Sequence, residues 1–116
     1  MPHLHLSTSA DLVENVDVPE ILDALVAELS SFESIAPSSV KAYHTLHTQW
    51  AMGEGAPDGF AHLEVRILGG REEAVRVEVA DRMYAQLNAL FERSLQSGEA
   101  SLTLELREMD PAGYRK

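Results

Sequence analysis

The sequence contains no cysteine among its 116 residues. This absence excludes disulfide bonds, thiolate metal sites and a cysteine nucleophile. Basic residues are also scarce: nine Lys and Arg stand against nineteen Asp and Glu, for a formal net charge of -10 at pH 7. A chain this acidic repels a phosphate backbone, so we expect no nucleic-acid partner. It can still bind a small anion where a few cations converge.

Long apolar runs are missing as well. No stretch approaches the ~20 apolar residues of a membrane span, and the first residues lack the basic and apolar segments of a secretion signal. We therefore expect a cytoplasmic protein without a membrane partner. At 12.8 kDa and 45% hydrophobic residues, the chain is long enough for one packed core and too short for two ordinary domains. We predict a single domain over residues 1–116.

The first half of the chain has a strand, a helix and a second strand in its pattern. Residues 3–7 alternate polar with apolar, at the period of a half-buried strand. Asp17 precedes a proline and has capping-box spacing, and apolar residues then recur every three to four positions, which predicts a helix over 18–32. Val, Tyr, Thr and Trp enrich residues 40–52, as is typical of an extended strand.

The same order returns after a turn. Three glycines and a proline within 53–59 mark a seam between halves. Residues 60–68 alternate as a strand, 71–95 carry one apolar helical stripe, and 101–107 alternate again. The chain thus consists of two pseudo-repeats, over about 1–52 and 59–108.

Two consecutive β-α-β units predict the α+β class, with a four-stranded sheet and two helices on one face. The parallel pairing of strands is expected within each unit. The other face of such a sheet is left to water or to a partner, so we expect an oligomer.

Four segments in this order resemble the 5-carboxymethyl-2-hydroxymuconate delta-isomerase family of the tautomerase superfamily. They are residues 1–4 (MPHL), 50–55 (WAMGEG), 63–71 (LEVRILGGR) and 104–111 (LELREMDP). None is decisive alone, but their joint placement on a duplicated strand-helix-strand unit is much more specific. The resemblance implies the tautomerase-like fold, a homotrimer and a role in the catabolism of aromatic compounds.

The resemblance also implies site residues. The family uses an N-terminal proline as general base, which here is Pro2 once Met1 is removed. Its substrates are small unsaturated hydroxy or keto acids held by arginines. Arg71 keeps the arginine that follows the glycines, whereas Lys41 and Tyr43 stand where an arginine pair is expected. We therefore expect substrate binding by Lys41, Arg71 and Tyr43, and a preference for mono- or dicarboxylates.

The chemistry fits an N-terminal amine. Moving a double bond beside a carbonyl needs a base that takes a proton from one carbon and returns it to another, with a pKa near the working pH. An α-amino group has a pKa of roughly 7.7 to 8.0, and burial or nearby positive charge favours its neutral form. The Met-Pro start alone favours a plainer interpretation, in which Pro2 merely begins an edge strand.

Each binding candidate has a plainer interpretation. Arg71 could pair with Glu72 or Glu73 in solvent instead of binding a carboxylate, and Lys41 could be a surface lysine. Tyr43 and Trp50 could line a pocket or pack between subunits.

The five histidines form no recognisable ligand spacing, so we expect no metal and no cofactor. The competing function is a non-catalytic, oligomeric ligand-binding module on the same scaffold. Retained Met1 would favour that alternative, because the Pro2 nitrogen would then be an amide.

Overall fold

The structure, a computed structural model, describes all 116 residues. Its elements in chain order are β1 (His3–Ser9), α1 (Val18–Ser30), β2 (Lys41–His47), β3 (Gly59–Leu68), α2 (Glu73–Leu90), α3 (Glu92–Gln96) and β4 (Ala100–Met109). Short 3₁₀ turns precede α1 and β2, at Val13–Asp17 and Pro37–Ser39. None of the helices combines the length and apolar composition needed to span a bilayer.

The four strands form one mixed sheet in the order β2-β1-β3-β4. β1 is parallel to β2 and β3 is parallel to β4, while the central pair, β1 and β3, is antiparallel. The predicted α+β class and the parallel pairing within each β-α-β unit are confirmed. The boundaries of a single domain stay a prediction.

The core lies between the sheet and the helices. Alternate side chains of the two central strands are fully buried, and each helix presents residues at helical spacing to them. Burying one Leu, Val or Met side chain contributes about 1.5–3 kcal/mol to stability. The fully buried residues include Leu4, Leu6, Leu63, Val65, Ile67, Leu25, Leu29, Val79, Met83 and Leu87.

The other side of the sheet, which we call the uncovered face, is polar. Alternate side chains of each strand point to this face, and the strand register aligns them in rows across the sheet. Arg66 Nε lies 2.9 Å from a Glu64 carboxylate oxygen, and Arg107 Nη1 lies 3.6 Å from the other. The face consists of Lys41, Tyr43, Thr45, His3, His5, Ser7, Arg66, Glu64, His62, Arg107, Glu105 and Thr103.

The second strand is shorter than predicted, ending at His47 instead of Met52. Residues 48–58 form the seam loop, in which the Trp50 indole N–H donates to the Asp58 carbonyl at 2.8 Å. Gly55 has φ +83°, a conformation that L side chains rarely adopt. Trp50, one of the residues that favoured a longer strand in the prediction, therefore lies in a loop and closes it through this hydrogen bond.

The second helix is also different from the prediction, because it breaks at Phe91. In a continuous helix the N–H of Ser94 would bond to the Leu90 carbonyl. Instead it donates to the buried Glu14 carboxylate at 2.9 Å, and the Ser94 hydroxyl donates to the same group. The predicted capping box at Asp17 is wrong too, since Asp17 makes no side-chain cap.

Candidate active site

A cavity of about 200 Å³ lies beside the start of β1. It contains both Pro2 and Arg71, which come from opposite β-α-β units. The chain between α1 and β2 supplies another wall, and the end of β3 and the segment after β4 complete it. The lining residues are Met1, Pro2, Ser34, Ile35, Ala36, Ser39, Leu68, Arg71 and Lys116.

Pro2 is buried and held by the edge of the sheet. Its carbonyl accepts a hydrogen bond from the Lys41 N–H at 3.2 Å, continuing the parallel β1–β2 ladder by one residue. A proline has no backbone N–H to contribute to a ladder, so the first position of a strand suits it. The ladder thus fixes the residue whose nitrogen would become the amine on removal of Met1.

The electrostatic environment of the chain's amino group favours its neutral form. Burial lowers the pKa of the Met1 ammonium from its ordinary value of 8.0, and the positive charges of Lys116, Lys41 and Arg71 lower it further. Burial and positive charge both disfavour a proton on the amine. An amine in this place is therefore better suited to accept a proton near neutral pH than an ordinary one.

Arg71 is tied to the cavity wall by its own hydrogen bonds. Its Nε donates to the Ser34 hydroxyl at 3.1 Å, Nη2 to the Ser34 carbonyl at 3.0 Å and Nη1 to the Leu68 carbonyl at 3.0 Å. It makes no ion pair with Glu72 or Glu73, and α2 begins two residues after it. Arg71 is therefore a pre-oriented cation in the cavity wall.

Lys41 and Tyr43 do not line the cavity. The Lys41 side chain is exposed, and its charge acts on the amino group. Tyr43 lies on the uncovered face, where its hydroxyl accepts from Arg66 Nη2 at 3.1 Å and lies 3.4 Å from His3 Nδ1. The two residues thus have different surroundings from those of Pro2 and Arg71.

His3 connects Tyr43 with the segment after β4. Its Nε2 lies 3.0 Å from the Tyr114 hydroxyl, which donates to the Met1 carbonyl at 3.2 Å. Because the tyrosine proton is used there, His3 Nε2–H is the donor and Nδ1 accepts from Tyr43. Burial lowers the pKa of His3, and Arg66, Lys41 and the amino group lower it further, in agreement with a neutral ring.

Lys116 and Tyr114 are site residues that the sequence reasoning missed. Two signals were present: Tyr114, Arg115 and Lys116 bring two cations and an aromatic ring together in an acidic chain, and Asp110 and Pro111 before them are typical of a turn. That turn forms, with the Gly113 N–H bonded to the Asp110 carbonyl at 3.0 Å.

Three of the four remaining histidines bond to hydroxyl groups, and the fourth, His47, packs against the Phe60 ring. No group of three or more His, Asp or Glu side chains in the chain is arranged to hold a metal ion. The pairs are His5 with Thr45 at 2.8 Å, His44 with Thr8 at 2.7 Å and His62 with Thr103 at 2.7 Å. The expectation that the protein needs no metal stays a prediction.

A larger groove of about 350 Å³ between α2 and β4 contains none of the predicted site residues. Its charged lining residue is Asp81, and the others are Ala80, Tyr84, Leu102, Thr103 and Leu104. A carboxylate ligand would meet a negative charge here and no cation. The smaller cavity around Pro2 is therefore the candidate active site.

Comparisons with known proteins give the same family as the resemblance. The chain superimposes on a 5-carboxymethyl-2-hydroxymuconate isomerase from Deinococcus radiodurans R1 with a TM-score of 0.90 and 29% identity, covering 99% of this chain and 87% of that one. A 5-carboxymethyl-2-hydroxymuconate delta-isomerase matches with a TM-score of 0.78 and 21% identity, covering 100% and 87%.

A fused 4-OT, described as a symmetric trimer, has the same fold, with a TM-score of 0.72 at 15% identity over 98% of this chain and 90% of that one. No curated protein sequence is significantly similar. The sequence matches the profile of the 5-carboxymethyl-2-hydroxymuconate isomerase family over residues 2–116. The chain belongs to this family of isomerases.

Proposed function

We propose that the enzyme moves a proton and a double bond in a small unsaturated hydroxy or keto acid, with the Pro2 amine as general base after removal of Met1. One observation carries this proposal. Pro2 is buried in a cavity that Arg71 also lines, where burial and the charges of Lys116, Lys41 and Arg71 lower the pKa of the Met1 amino group. Family membership supports an isomerase over a non-catalytic binding module.

The reaction needs only proton transfer. The neutral amine takes a proton from one atom of the substrate, and the electron pair left behind shifts the double bond toward the carbonyl oxygen, giving a dienolate. The ammonium then returns a proton to another carbon. Atoms and charge balance without an oxidant or a cofactor. Nearby cations stabilise the negative charge of the dienolate as it develops.

Arg71 is the proposed carboxylate ligand in the cavity wall. Three of its five N–H groups are bonded to protein oxygens, which leaves two for a substrate. Lys41 adds positive charge beside the amine. Tyr43 would influence the site through the hydrogen bond of its hydroxyl to His3. Strand β2 lacks the two arginines that the family resemblance leads us to expect, and with them two bidentate contacts to carboxylates. This favours a mono- or dicarboxylate substrate, of the 2-hydroxymuconate or phenylenolpyruvate type, over the carboxymethyl compound.

The test begins with the intact mass of the purified protein, which should show that Met1 is absent. Pro2→Ala should then lose most turnover of 2-hydroxymuconate, because a primary amine differs from proline in pKa, shape and hydration. Pro57→Ala, in the seam loop, is the matched control and should keep wild-type turnover. Equal rates for wild type and Pro2→Ala, both free of Met1, would contradict the assignment of Pro2 as base.

The same assay, run on a panel of acids, tests the substrate. We expect the highest kcat/KM for 2-hydroxymuconate or phenylenolpyruvate. If the carboxymethyl compound is best, more positive charge reaches the substrate than Arg71 and Lys41 provide. A protein that keeps Met1 and turns over none of these acids would favour the non-catalytic module.

A further inference from the structure

The cavity contains a cation that the family resemblance did not single out. Lys116 is one of its lining residues, together with Pro2 and Arg71. Its ammonium makes no hydrogen bond or ion pair with the protein. A cation that faces a cavity without an internal partner is available to an anionic ligand.

The segment after β4 is held in place rather than extended into solvent. The Ala112 N–H donates to the Asp110 carboxylate at 2.9 Å, which reverses the chain toward β1. Tyr114 then contacts His3 edge-on, with ring centroids 6.1 Å apart, and its hydroxyl bonds to both His3 and the Met1 carbonyl. Lys116 follows two residues later and is positioned by this anchor.

The number of free cationic groups that line the cavity indicates a specific role for Lys116. Arg71 has two free N–H groups, enough for one carboxylate. A second carboxylate without a partner would lose its hydration without compensation. Lys41 does not line the cavity, so Lys116 is the additional cation among the lining residues.

We propose that Lys116 binds the second carboxylate of a dicarboxylate substrate, and that Tyr114 positions it through its bond to His3, which does not depend on Met1. This inference rests on the proposed function for the identity of the site. It adds the residue that distinguishes a dicarboxylate from a monocarboxylate.

The test measures binding, so that it does not depend on turnover. Muconate, a conjugated dicarboxylate without a hydroxyl group to tautomerise, is titrated into the full-length protein by calorimetry. Lys116→Ala should raise the Kd about tenfold or more, the usual consequence of losing a charged hydrogen bond. Lys116→Arg should restore most of the affinity, because it keeps the charge.

Arg115→Ala is the matched control. It removes one positive charge from the neighbouring position, but the Arg115 guanidinium bonds to the carbonyls of Ala112 and Tyr114 and does not line the cavity. Its Kd should stay within about twofold of wild type at moderate salt. Tyr114→Phe should weaken muconate binding, since it loses the hydroxyl that bonds to His3.

A monocarboxylate completes the design. Binding of sorbate, which has one carboxylate, should depend on Arg71 and hardly on Lys116. Equal Kd values of muconate for Lys116→Ala and Arg115→Ala would overturn the proposal, as would equal losses of sorbate and muconate binding in Lys116→Ala. An inactive wild type that still binds muconate through Lys116 would contradict the base assignment and leave this inference standing.

Discussion

At the scale of single residues, the proposed chemistry depends on one amine and the charges around it. The amino group is partly buried, and Lys116, Lys41 and Arg71 surround it with positive charge. Burial and like charge both favour the neutral base. The net charge of -10 belongs to the whole chain, whereas the local field at this amine is positive. This difference explains how an acidic protein can bind anionic substrates.

The lowered pKa predicts the pH dependence of turnover. A base must be neutral to act, so kcat/KM should be constant above the amine pKa and fall about tenfold per pH unit below it. Burial and the charges of Lys116, Lys41 and Arg71 lower the pKa of the Met1 amine, and the same surroundings should place the acid limb of the Pro2 amine at lower pH than that of an exposed N-terminal proline. Removal of Met1 transfers the amine to Pro2, which is buried in the same cavity.

Lys41→Gln should move this limb to higher pH, because the protonated amine loses a repulsive neighbour. Lys41→Arg keeps the charge and should leave the limb in place. The measurement is kcat/KM from pH 5 to 9 for the three proteins. A limb that does not move in Lys41→Gln would show that this charge does not act on the base.

At the scale of elements, β3 begins at a position that requires glycine. A Cβ on Gly59 would lie 2.6 Å from an Asp11 carboxylate oxygen and 2.7 Å from Ser9 Oγ. Ser9 is buried, and its hydroxyl donates to Asp11 at 2.6 Å and accepts from the Phe60 N–H at 2.8 Å. A side chain here would separate the groups that join β1 to the start of β3.

Gly59→Ala should therefore lower the free energy of unfolding by about 1–3 kcal/mol, the usual cost of overpacking. Gly53→Ala is the matched control, since no atom lies within 4 Å of its added Cβ and its φ is not positive. It should change stability by at most about 0.5 kcal/mol. Urea unfolding followed by circular dichroism gives both values, and equal stabilities would contradict the packing argument.

Local pattern predicted the elements and missed the contacts between them. Alternation and helical spacing located all four strands and both main helices, because each buries one face against the same core. The break in the second helix depends on Glu14 bonding to Ser94, residues 80 positions apart. Likewise Pro2 and Arg71 were predicted from a family pattern, whereas Lys116 reaches their cavity only through a turn and the Tyr114 anchor, which no local pattern reveals.

At the scale of the whole molecule, the two helices cover one side of the sheet and leave the other polar face without cover. His3, His5 and His62 lie there beside Arg66 and Glu64, most of them only half exposed even in one chain. β2 and β4 form the two edges of the sheet, and edge strands pair readily with another chain. A second and a third copy could cover both features at once.

We expect a homotrimer in solution, as the family resemblance implies and as the uncovered face and the two edge strands favour. Light scattering at micromolar concentration should give about three times the 12.8 kDa of one chain. Ser7→Arg places a charged side chain on the central strand β1 of the uncovered face, between Thr45 and His62. It should lower the mass toward that of a single chain, because a buried charge without a partner destabilises an interface.

Ala27→Arg, on the exposed side of α1, introduces the same side chain away from this face and should leave the trimer intact. A wild type with the mass of one chain would contradict the trimer, and a trimeric Ser7→Arg would show that the copies meet elsewhere.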